Sequence, residues 1–182
     1  MNRTLKIAII GLLLNIAFGG YYFVCGIVTS SWWLLALGTY YVLLSAIRFF
    51  VLRGWSSQRG TGVMLMMLSV PLVGTVILSV VRDRGYQLHM ILMIAMAAYA
   101  FSKIRLATIN LVKALKSRNA SLEILRNVSL ADAFVSIFAL QRSMLVSFEG
   151  MSAEEIQLMN ALLGAAVCII VFLLGWNLFR RK

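Results

Sequence analysis

Residues 158–179 read LMNALLGAAVCIIVFLLGWNLF, a run without a single charged side chain. About 20 mostly apolar residues are enough for an α-helix to cross a hydrocarbon core roughly 30 Å thick. Inside that core every backbone N–H and C=O must be satisfied within the segment, which a helix achieves and an irregular chain does not. The run therefore predicts a membrane-spanning helix, which its flanks extend to 153–179. Similar apolar runs cover 5–29, 31–52, 62–81, 86–112 and 130–148. The fourth is expected to continue as helix past the membrane face to about Lys116. The segment 113–128 is then expected to hold that extension and a short surface helix carrying Leu122, Ile124 and Leu125. The expected fold class is all-α: a polytopic integral membrane protein, a six-transmembrane-helix bundle formed by one membrane domain over 1–182.

Composition agrees. Hydrophobic residues make up 62% of the chain and charged residues only 13%, too few to cover a soluble domain of this length. The formal charge of +11 would suit a nucleic-acid partner if it lay in one patch. Instead the bases fall in short clusters between apolar runs, which excludes nucleic acid and fits membrane topology. With the N-terminus inside, Arg3, Lys6, Arg53, Arg59, Lys113, Lys116, Arg118, Arg126, Arg180, Arg181 and Lys182 lie on the cytoplasmic side. Only Arg82 and Arg84 then fall in outer loops. This bias predicts an N-in/C-in arrangement. Short loops point to the inner (plasma) membrane of a bacterium. The first apolar run mimics a signal peptide but shows no Ala-x-Ala cleavage pattern, so it reads as a retained helix.

Local signals mark the helix ends. Ser129-Leu-Ala-Asp132 and Ser152-Ala-Glu-Glu155 both fit a capping serine with an acid three positions on. Trp32 and Trp33 are expected at the outer interface, and Trp55 and Trp176 at the inner one. Cys25 and Cys168 differ in expected depth by roughly 10 Å, too far for a disulfide.

In lipid, helices associate through small residues and polar contacts. Such residues at heptad spacing predict the inward faces. They are Asn15, Gly19, Tyr22, Gly26 and Thr29 on helix 1, and Gly38, Tyr41, Ser45 and Arg48 on helix 2. Helix 4 offers Ala95, Ala98, Ser102 and Arg105; helix 5, Asp132, Ser136, Ala139 and Ser143; helix 6, Gln157, Ala161, Gly164 and Cys168. Pro71 removes one backbone hydrogen bond from helix 3 and is expected to bend it.

Charges within spans are costly and mark candidate sites. Arg48 and Arg105 continue their helices' inward stripes, and Asp132 is the acid at matching depth. An ion pair of Asp132 with either arginine would offset the cost of burial. Two bases against one acid leave a positive interior, suited to a phosphate, a carboxylate or a lipid headgroup. The candidate ligand-binding residues are therefore Arg48, Arg105, Asp132, Tyr41, Ser45 and Ser136. The plainer alternative is a structural ion pair, with Asp132 capping helix 5. Lys103 shares a face with Tyr99, away from the small residues, and reads as an anchor snorkelling to water. Arg142, with Gln141, lies nearer the outer face, where Glu149 or Glu155 is placed to pair with it; it is a candidate outer gate.

Catalytic patterns are missing. One histidine, His89, and two separated cysteines make no zinc site, and no phosphate-binding glycine loop or His-Glu-x-x-His occurs. No cofactor is expected, no metal ligands are assigned, and a hydrolase or phosphotransferase is disfavoured.

The stretch Tyr21-Tyr22-x-x-x-Gly26-x-x-x-Ser30-x-Trp32-Trp33, continuing through Gly38-x-Tyr40-Tyr41 to Ser45-x-x-Arg48-Phe49, resembles small polytopic membrane proteins of bacteria. That resemblance implies no activity. In size, helix count and basic balance the chain is also similar to substrate-binding subunits of energy-coupling-factor vitamin transporters, although their Ala-x-x-x-Ala docking motif has no counterpart in helix 1.

The leading expectation is a small transport-related protein, a permease or substrate-binding subunit, for an anionic or amphipathic small molecule. The alternatives are a non-catalytic interaction or regulatory subunit of a membrane complex and a lipid-modifying enzyme. Expected partners are the lipid bilayer, that anionic molecule or headgroup, and a membrane protein or a second copy of the chain.

Overall fold

The structure, a computed structural model, describes residues 3–55, 57–81, 90–116, 120–147 and 151–180. The regular structure within them is all helix: α1 Arg3–Val28, α2 Trp32–Leu52, α3 Gln58–Val81, α4 Met90–Lys116, α5 Ala120–Ser147 and α6 Ala153–Arg180. Five of the six are long and apolar enough to cross a membrane: Ile9–Val28, Trp32–Leu52, Gln58–Val81, Leu122–Ser147 and Ala153–Arg180. Their exposed faces carry Leu13, Val24, Ile27, Met67, Val70, Leu162 and Leu173. Such surfaces are stable in hydrocarbon and not in water. The molecule is a multi-pass helical membrane protein. Arg82, Arg84, His89 and Glu149 lie outside the described residues.

Packing is most extensive for α1 on α2, α3 on α6 and α4 on α5; α2 also meets α3, and α5 meets α6. α1 folds back on α2 through a tight corner in which Thr29 N and Ser31 N donate to the Cys25 and Gly26 carbonyls at 2.9 Å. Ser30 takes the left-handed conformation there, at φ 51°, which ends the helix as a glycine usually would. α3 and α6 make the closest approach, because Gly62 and Gly175 face each other. A Cβ on Gly62 would stand 2.7 Å from the Gly175 carbonyl oxygen, and one on Gly175 would stand 2.8 Å from that of Gly62. Without side chains at that crossing the two backbones touch, and dispersion replaces the hydrophobic drive that lipid does not supply. α3 runs on as one helix through Pro71.

One boundary differs from expectation. α5 begins at Ala120, not near 130, so Leu122, Ile124 and Leu125 belong to it and form no separate surface helix; Ile124, Leu125 and Val128 are buried in its first half. Asp132 consequently stands in the middle of α5 and caps nothing. The second serine–acid pattern does form its capping box: Ser152 N donates to Glu155 Oε2 at 2.9 Å, and Glu155 N to Ser152 Oγ at 3.3 Å. The inward stripes of α2 and α5 match expectation, and so does that of α1 from Asn15 to Gly26. On α6 the buried line is Asn160, Gly164, Val167, Val171, Gly175 and Leu178, so Gln157, Ala161 and Cys168 lie on its half-buried flank. α4 is turned the other way. Ala95, Ala98, Ser102 and Arg105 are all exposed, and Met96, Tyr99, Ala100, Lys103, Ala107 and Asn110 face inward.

Candidate functional site

Asp132 lies twelve residues into α5, where α1, α2 and α4 converge on it, and is 2% exposed. Its Oδ2 accepts from Arg48 Nη2 of α2 at 3.1 Å and from Asn15 Nδ2 of α1 at 3.0 Å. Its Oδ1 accepts from Lys103 Nζ of α4. Arg48 and Lys103 are each 4% exposed, so three charges share one low-dielectric space. A buried carboxylate persists only when paired and hydrogen-bonded, and here three donors from three helices surround it.

A second ring of groups fixes the first. Tyr99 Oη donates to Asn15 Oδ1 at 2.9 Å, which orients the Asn15 amide toward Asp132. The Lys103 ammonium lies over the rings of Tyr41 and Tyr99, 4.3 and 4.2 Å from their centroids. Desolvated cation–π contacts of this kind are worth up to about 2 kcal/mol each. Ser136 Oγ donates to the Asp132 carbonyl at 2.8 Å, so the Tyr41 hydroxyl donates to Ser136 at 3.0 Å. Phe18 of α1 stacks on Tyr99 of α4 at 3.5 Å between centroids. Antiparallel contacts run through the cluster, with α1 against α2 and α4, and α4 against α5.

Of the residues expected at a site, Arg48, Asp132, Tyr41 and Ser136 come together here. Ser45 is buried beside them but donates to the Tyr41 carbonyl one turn back, at 2.7 Å, and touches no charge. Arg105 does not join: it is on the exposed face of α4, and Lys103, expected to snorkel, holds the position assigned to it. Arg142 is far along α5 from Asp132 and buried, its guanidinium 4.4 Å over the Trp33 ring. Trp33 is thus packed within the bundle near the start of α2, and Glu155 is engaged at its own cap. The residues missed as members of the site were Asn15, Lys103, Tyr99, Asn110 and Ser129. For those on α4 the signal was the spacing Tyr99, Lys103, Asn110 on one face, three polar-capable side chains a turn or two apart.

Beside the cluster is a cleft with about 20 Å3 of water-accessible space, lined by Gly11 and Leu14 of α1, Arg48, Asp132 and Ser129, and by α4. That volume suits a water molecule. Asn110 Nδ2 donates to Ser129 Oγ at 2.9 Å. Asn110 Oδ1 and Arg48 Nε are buried without a partner among the described residues. Gly11 makes the arginine's position possible, since a Cβ there would lie 2.1 Å from Arg48 Nη1. Gly11→Ala should displace the guanidinium from Asp132 and lower stability by about 1–2 kcal/mol. Thermal unfolding in detergent checks this. Among the described residues no group of three or more His, Cys, Asp or Glu side chains is placed to hold a metal. Both cysteines are free thiols. Searches of protein-family models, curated proteins and solved structures return no match to the chain.

Proposed function

We propose that this protein is a small transport-related component of a bacterial inner membrane, a permease or substrate-binding subunit, that binds an anionic group of a small or amphipathic molecule at Arg48 and Lys103. The observation that carries the reading is the charge imbalance around Asp132: two buried cations meet one carboxylate, beside a cleft. The net charge of the cluster is +1, and one further anionic group balances it. Arg48 suits such a group because its guanidinium has several donors, of which the Asp132 contact uses one and Nε is unused. Ligand and Asp132 would share the same two cations, and binding would bring the net charge of the cluster from +1 to zero.

The proposal includes six crossings with both termini in the cytoplasm. α4 is 27 residues long and runs antiparallel to α5, as a sixth crossing would. The sided distribution of Lys and Arg in the sequence sets the orientation. The charge cluster then belongs to the inner half, since Arg48 is one turn from the cytoplasmic end of α2.

The test is ligand-dependent thermal stabilisation of the purified protein, screened with inorganic phosphate, short-chain carboxylates and anionic lipids. Arg48→Gln and Lys103→Gln should each abolish a stabilisation seen with the parent. Arg105→Gln, on the exposed face, should keep at least half of it. Equal stabilisation of all three variants would rule out this site.

A further inference from the structure

Resting on the anion-site reading above, we infer that the anionic group arrives sideways through the bilayer, as the phosphodiester headgroup of a lipid entering between α1 and α4. The lining of the cleft gives its direction. Gly11 and Leu14 come from α1; Ser102, Lys103, Leu106 and Asn110 come from α4; Arg48, Ser129 and Asp132 of α2 and α5 form the floor. The mouth is thus a seam on the flank of the bundle. The outward faces of the two helices that flank it are apolar: Leu13 of α1 is 60% exposed and Phe101 of α4 67%. Acyl chains cover such surfaces, and a dissolved ion has no path along them.

Depth and charge fit the same occupant. Arg48 is four residues from Leu52, the last residue of α2, about 6 Å along the helix axis. That is the region where headgroups meet acyl chains. A phosphodiester carries one negative charge, equal and opposite to the net charge of Arg48, Lys103 and Asp132. Arg105 stands exposed on α4, two residues from Lys103. A guanidinium on the lipid-facing side at this level draws anionic headgroups toward the seam. Deeper in the membrane the seam is shut by the Phe18–Tyr99 stack and the Tyr99–Asn15 hydrogen bond, so a headgroup stops at Arg48. The free volume of about 20 Å3 is smaller than a phosphate group, so entry requires the inner ends of α1 and α4 to part at Leu14 and Leu106.

The experiment compares three probes on the full chain in detergent micelles: short-chain phosphatidylglycerol, short-chain phosphatidylcholine and inorganic phosphate. Phosphatidylglycerol should raise the melting midpoint by several degrees over phosphatidylcholine and remain bound in native mass spectrometry. Arg48→Gln should remove that difference. Ser102→Trp, which places a bulky ring on an exposed lip and displaces no packing, should remove it as well. If inorganic phosphate reproduces the full shift and Ser102→Trp leaves it intact, the anion comes from water and lateral entry is wrong while the anion site stands. If neither probe shifts the parent, the anion site itself falls. A phosphatidylglycerol shift retained in Arg48→Gln would place the lipid elsewhere and overturn the inference.

Discussion

Asp132→Ala should destabilise the protein by about 3–5 kcal/mol, the range for removing one partner of a buried ion pair. The loss is large because two cations depend on that carboxylate. Arg48 and Lys103 are both buried, and the acid accepts from both and from Asn15. Once it is gone, two positive charges repel each other in a space that hydrocarbon and protein enclose, and no second acid lies among the described contacts to replace it. Asp132→Asn should cost somewhat less, since an amide oxygen still accepts from one cation. Unfolding of the purified protein by mixed detergent, followed by circular dichroism, measures both. A loss below about 1 kcal/mol for Asp132→Ala would mean that the cluster is solvated rather than enclosed.

Gly62→Val carries the second large effect, about 3 kcal/mol, at the upper end of the range for overpacking. The added Cβ meets the Gly175 oxygen and the Phe179 nitrogen, both at 2.7 Å. These are backbone atoms of a helix and cannot swing aside as a side chain would, so α3 and α6 must separate along their tightest contact. The same substitution at Gly74, also in α3, provides the control. A Cβ there has nothing within 4 Å, and the change should stay within about 0.5 kcal/mol. Equal losses at both positions would mean that α3 and α6 do not cross at these glycines.

The helices were legible because hydrophobic runs of membrane length leave the backbone no other structure. The inner faces of α1, α2 and α5 were legible too, since their small and polar residues recur on one side and nothing competes with them. α4 misled for a physical reason. Small residues mark a seam only where backbones approach closely, and α4 meets α1 through large side chains: the Phe18–Tyr99 stack and the Tyr99–Asn15 hydrogen bond. Its small residues are free to face outward, and its lysine is drawn inward by an acid 29 positions later. Spacing within one helix carries no information about that acid. The capping pattern at Ser129–Asp132 failed similarly. A serine followed by an acid looks the same at a helix start and in its middle, and here the acid serves three other helices. A pairing of Asp132 with Arg48 or Arg105 was visible because matching depth left few choices, and Arg48 is the one of the two that pairs. Lys103 was misread because a lone base near a membrane face ordinarily reaches water.

The central claim is that Lys103 and Asp132 neutralise each other inside the bundle, and a double-mutant cycle tests it most directly. Lys103→Met, Asp132→Asn and the double variant would be unfolded under one set of conditions. The double variant should lose less than the sum of the single losses, by about 2 kcal/mol, as for residues in one buried network. Losses that add to within about 0.5 kcal/mol would show that the two groups do not interact, and the site built around them would not exist.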